Sequence, residues 1–96
     1  MNTREQYVAK LKAQLDQWNA EVAKWEAKSR SAQADMRNEY ERQLDAFRHQ
    51  RDQALEQMHK VQAATGDAWT DLTRGADDAW AQLRAAFEKA HSHFRK

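Results

Sequence analysis

The stretch Trp25-Glu26-Ala27-Lys28-Ser29-Arg30-Ser31-Ala32-Gln33-Ala34-Asp35-Met36 decides how this chain folds. If it is helical throughout, residues 3–64 form one rod. If it breaks at Ser29-Arg30-Ser31, the chain closes into a compact three-helix monomer. Ser-Arg-Ser carries none of the Gly, Pro, Asn or Asp residues that set turn dihedrals. The primary reading is therefore a continuous helix, with the three-helix monomer as its alternative.

On either side of that stretch the apolar residues recur at heptad spacing. Leu11, Leu15, Trp18, Val22, Trp25, Ser29, Ala32 and Met36 alternate steps of four and three, which places them on one stripe of a coiled-coil helix. Steps of four through Met36, Tyr40 and Leu44 form a stutter that relaxes the supercoil. The stripe resumes through Phe47, Arg51, Ala54, Met58 and Val61. Off the seam, Glu26–Arg30, Glu39–Arg42, Asp45–His49 and Glu56–Lys60 stand at helical spacing for ion pairs, each contributing about 0.2–0.5 kcal/mol.

The next punctuation is Thr65-Gly66-Asp67. Gly66 suits the left-handed conformation that closes a helix, and Asp67 suits the N-cap of the next one. A shorter helix over about 67–94 then carries Trp69, Leu72, Ala76, Ala79, Trp80, Leu83, Phe87, Ala90 and Phe94 on one face. Asp67-Ala68-Trp69 recurs eleven residues later as Asp78-Ala79-Trp80, a step of 3.67 residues per turn that implies a nearly straight helix. Early acids (Asp67, Asp71, Asp77, Asp78) and late bases (Arg84, Lys89, Arg95, Lys96) match the macrodipole. Gly75 inside this helix costs about 1 kcal/mol relative to Ala, which points to close approach of another backbone. Folding back at Gly66 pairs Met58 with Leu72, Ala54 with Ala76, Phe47 with Leu83, Leu44 with Phe87, Tyr40 with Ala90 and Met36 with Phe94.

The expected fold is thus all-α. A long helix (about 3–64) and a shorter antiparallel one form a single hairpin domain over 1–96, with hairpin 36–94 and overhang 1–35. On that overhang Tyr7, Leu11, Leu15, Trp18, Val22 and Trp25 have no partner in the same chain. Exposed tryptophans on an isolated helix are unstable, so a second copy is expected to cover them and build an oligomeric bundle.

Composition narrows the function classes. With no proline, no cysteine, no isoleucine and two glycines among 96 residues, a sheet fold and a disulfide framework are excluded. Both charge signs interleave, eleven basic and ten acidic residues before Thr65 and five of each after it, for a net charge of +1. That lacks the basic patch of a nucleic-acid binder. The N-terminus has no signal-peptide core and no stretch is long enough to span a bilayer, so a cytoplasmic protein is expected. Neither a nucleophile with a base nor a Gly-rich phosphate loop is present, and no enzyme and no cofactor is expected.

Two patterns carry alternatives. Glu56-x-x-His59 and Glu88-x-x-His91 match the Glu-x-x-His spacing of di-metal bundles. Both flank the seam, and solvated flank residues are the simpler reading. The tryptophans Trp18, Trp25, Trp69 and Trp80 read as core of a bundle of three or more helices. The rival is an aromatic stripe at a membrane or lipid surface, against which the polar face carries as many acids as bases.

The segments Arg4-Glu5-Gln6-Tyr7, Lys12-Ala13-Gln14-Leu15-Asp16-Gln17-Trp18-Asn19-Ala20-Glu21, Ala63-Ala64-Thr65-Gly66-Asp67-Ala68-Trp69-Thr70-Asp71-Leu72 and Ala79-Trp80 resemble the small bacterial coiled-coil stress-response proteins. The resemblance spans most of the chain in the same order. It implies a stress-linked, non-enzymatic role and supplies no catalytic residue, cofactor or defined partner. His91-Ser92-His93 and Asp77-Asp78 depart from the family pattern.

Overall fold

A computed structural model describes residues 3–94; Met1, Asn2 and the terminal bases Arg95 and Lys96 lie outside the described residues. The chain is all-α: α1 (Thr3–Ser31), α2 (Ala34–Ala63) and α3 (Ala68–Phe94), with no strand among the described residues. The expected rod over 3–64 is divided into α1 and α2. The bundle measures 52 × 20 × 17 Å. Arg4 at the start of α1 donates to the Ala64 carbonyl at the end of α2, so these two helices are antiparallel. Lys28 near the end of α1 donates to the Phe94 carbonyl in the last turn of α3 at 2.7 Å, so α1 runs parallel to α3.

The division falls at Ala32-Gln33, just beyond Ser29-Arg30-Ser31. Ser29 stays inside α1 and is buried, and Gln33 takes an extended conformation at φ −66°, ψ 159°. Magnitudes explain why the chain bends where local preference favours helix. The bend forgoes about four backbone hydrogen bonds, each contributing about 1 kcal/mol net. It allows Val8, Leu11, Leu15, Trp18, Val22 and Trp25 to be buried within the same chain. A tryptophan removes about 200 Å² from water, and at about 25 cal/mol per Å² Trp18 and Trp25 alone offset the lost bonds. The overhang therefore has an intrachain partner, which corrects the expectation that it needed a second copy. Val8, left out of the heptad stripe, is core, whereas Tyr7 sits half-buried at its edge.

The antiparallel α2–α3 hairpin forms, but about one helical turn away from the expected register. Phe94 stacks on Tyr40 (4.3 Å between centroids) rather than facing Met36. Phe87 meets Phe47 (6.1 Å) rather than Leu44. Heptad stripes match themselves at half-heptad offsets, so the two-helix pattern alone does not select between these registers. The third helix does: in the observed one Phe94 reaches both Tyr40 and Trp25. Met36 is left outside, at 50% exposure.

The α2–α3 connection also departs in detail from the expected cap. The chain leaves α2 through an extended Ala64, whose N–H donates to the Val61 carbonyl. A tight turn follows, in which the Ala68 N–H donates to the Thr65 carbonyl at 3.3 Å. Gly66 supplies the left-handed φ of 61° that this turn requires. Asp67 precedes α3, and its carbonyl accepts from the Thr70 N–H. Gly75 is not the site of a backbone approach: a Cβ there would meet the Oε1 of Gln57 at 3.2 Å.

Candidate interaction surface

Most of the sequence-derived site residues are structural. Trp18, Trp25 and Trp80 are buried, with Trp18 against Trp80 (6.3 Å) and Phe87 (5.6 Å), and Trp25 against Phe87 (5.0 Å). Three of the four tryptophans of the expected aromatic stripe, Trp18, Trp25 and Trp80, thus lie in the seam between α1 and α3. The two copies of Asp-Ala-Trp diverge, since Trp80 is buried and Trp69 only half-buried. The indole N–H of Trp80 has no hydrogen-bond partner among the described residues. No helix of the described residues is long and apolar enough to cross a membrane.

The Glu-x-x-His pairs are not brought together. Glu56 pairs with Lys60 at 3.7 Å, and His59 and Glu88 are exposed. The His91 ring packs on Trp25 (6.0 Å) and lies parallel to Phe87 (6.2 Å). His93 faces Glu39 at 3.6 Å. Among the described residues, no three His, Asp or Glu side chains converge as a metal site requires. Two of the expected pairs, Glu39–Arg42 and Glu56–Lys60, form. Glu26 and Asp45 instead both engage Arg48, at 3.0 and 3.2 Å, so one guanidinium ties α1 to α2.

Polar contacts fasten α1 at several points. Arg51, on the seam of α2, donates to Asn19 Oδ1 at 3.2 Å and lies over the Phe47 ring. The Tyr7 hydroxyl points at α3, where Asp77 Oδ1 (2.5 Å) and the Thr73 carbonyl (3.1 Å) share its proton. Burial pushes this hydroxyl well above its ordinary value near 10, with the hydrogen bond to Asp77 and its negative charge adding to the effect. Arg4 and Lys28 occupy the carbonyl ends of α2 and α3, where a cation also opposes the helix dipole.

What remains open is the groove between α2 and α3 on the side that α1 does not cover. Two rows of residues line it, again at heptad spacing: Gln43, Ala46, Gln50, Gln53 and Gln57 from α2, and Gly75, Asp78, Gln82, Ala85 and Lys89 from α3. Gln43 is buried and donates to Glu39 Oε1 at 3.3 Å. Apart from Asp78 and Lys89, these rows are Ala, Gly and Gln, short or uncharged side chains of the kind that let a further helix backbone approach closely. Its ends differ in charge. Glu56 and Asp78 stand at one end, and Lys89 stands with His49 at the other. Sequence reading missed this second stripe because the alanines and glutamines on it carry no hydropathy signal; their step of three and four was the available clue.

Comparison with protein-family models, curated proteins and solved structures gives no match for this chain.

Proposed function

We propose that this chain is a non-enzymatic structural or interaction protein that self-associates, with the stress-linked role that its family resemblance implies. The supporting observation is the second heptad stripe: Gln43, Ala46, Gln50, Gln53 and Gln57 facing Gly75, Asp78, Gln82 and Ala85 with no helix laid over them. The occupant is a second copy of the chain. Asp78 and Lys89 lie eleven residues apart on α3, about 16 Å along its axis. A two-fold axis between them sets Asp78 of one copy against Lys89 of the other, twice over, so the groove is complementary to itself in charge and register. In the closed monomer α1 is packed within the chain, so the outer groove is the surface open to a second folded copy.

Sedimentation across micromolar to millimolar concentration tests it. For chains kept folded throughout, the wild type is expected to dimerise and Ala46→Glu with Ala85→Glu to remain monomeric, with an unchanged melting temperature at low concentration, since both alanines are exposed. A wild type that stays monomeric throughout, or a double variant that dimerises equally well, overturns the proposal.

A further inference from the structure

The bend between α1 and α2 is built from residues that do not require it. Ala32 and Gln33 are both good helix formers, and no Gly or Pro occurs from Thr3 to Ala64. Gln33 stands at the N-cap of α2, yet its side chain makes no capping hydrogen bond. The bend is held by secondary contacts. Ser31 Oγ donates back to the Lys28 carbonyl at 3.1 Å, Arg37 Nη2 donates to the Ala32 carbonyl at 3.0 Å, and the Ala32 N–H donates to Ser29 at 3.2 Å. If Ala32 and Gln33 took helical dihedrals, the backbone ladder would run unbroken from α1 into α2.

We infer that α1 is an exchangeable segment, and that the α2–α3 face it covers is a docking surface for α1 of a second copy. In the exchanged form Thr3–Ala63 is one helix about 90 Å long, and two such helices run antiparallel about an axis at the former bend. Each α1 docks on the α2–α3 pair of the other chain. The contacts of α1 re-form between chains, among them Trp25 on Phe94, Tyr7 with Asp77, Asn19 with Arg51, Glu26 with Arg48 and Lys28 on the Phe94 carbonyl, while the α2–α3 pair stays within each chain. The two forms therefore differ chiefly at the hinge, where the straight helix gains backbone hydrogen bonds, and in the cost of association, which concentration lowers. This rests on the reading of a self-associating chain but uses a different surface from the outer groove.

Gln33→Pro separates the two forms. A φ of −66° at Gln33 is the value proline imposes, so the bent form tolerates it, whereas proline in the middle of the straight helix removes a hydrogen bond and clashes with the preceding turn. The experiment refolds the full chain from denaturant at high and low concentration, with wild type and Gln33→Pro in parallel. It then records isotope-filtered NOEs between Trp25 and Phe94 in an equimolar mixture of labelled and unlabelled chains refolded together. The wild type at high concentration should give a dimer close to twice the 52 Å long axis of the bundle with intermolecular Trp25–Phe94 NOEs. Gln33→Pro should weaken that dimer about a hundredfold or more. A dimer whose Trp25–Phe94 NOEs are all intramolecular overturns the exchange and leaves the outer-groove reading standing. A wild type monomeric under every condition overturns both. An exchanged dimer equally stable in Gln33→Pro removes the hinge as its cause.

Discussion

Trp25 and Phe94 stack with their ring centroids 5.1 Å apart and their planes within 5°, one on α1 and the other in the last turn of α3. Tyr40 closes on the same phenyl ring from α2. All three helices therefore meet at Phe94, and Lys28 holds its carbonyl. Trp25→Ala is expected to destabilise the monomer by about 3–5 kcal/mol through the cavity it leaves. Chemical denaturation at low protein concentration measures this. An unchanged midpoint there would place Trp25 outside the intrachain core.

The capping position at the bend offers a test by sign. Gln33→Asp supplies the side-chain acceptor that the N-cap of α2 lacks, and stabilises the bent form by about 0.5–1 kcal/mol. In a continuous helix the same change replaces a good helix former by a poor one and destabilises. A higher melting temperature at low concentration is the expected result.

The two glycines should respond oppositely. Gly75→Ala gains about 1 kcal/mol of helix propensity, and the one atom group in its way is the end of the Gln57 side chain at 3.2 Å, which is free to rotate aside. Gly66→Ala meets no atom within 4 Å but must hold a φ of 61°, and costs about 1–2 kcal/mol. Paired thermal melts, with Gly75→Ala above and Gly66→Ala below wild type, check the assignment.

Tyr7 makes stability depend on alkaline pH. Its hydroxyl stays protonated in the fold above the pH near 10 at which an unfolded tyrosine ionises. A raised folded-state value contributes stability that is fully present below pH 10 and is lost as pH rises beyond it. Tyr7→Phe removes the donor to Asp77 and with it this dependence. Between pH 9 and 11 the wild type should lose more melting temperature than the variant; parallel curves would detach Tyr7 from the alkaline limb.

Much of this architecture is written in the residues themselves. The stripe Leu11, Leu15, Trp18, Val22, Trp25 is the face that α1 buries, and Thr65-Gly66-Asp67 is the connection to α3. What was not legible is non-local. Ala32 and Gln33 look helical because nothing near them says otherwise; they bend because Trp18 and Trp25 gain more from Phe87 and Phe94 than the ladder gains from continuing. The α2–α3 register slipped by a turn for the same reason, since Phe94 is placed by Trp25 as well as by Tyr40. The outer groove was hidden differently: its rows of Gln and Ala have the spacing of a seam without its hydropathy.

The central claim is that one chain, on its own, bends at Ala32-Gln33 and closes into a three-helix bundle. Small-angle X-ray scattering of the wild type, extrapolated to infinite dilution, tests this most directly. The expected result is a compact particle with a radius of gyration near 15.4 Å and a long axis near 52 Å. A rod of about 90 Å, the length of an unbroken helix over residues 3–64, would contradict it.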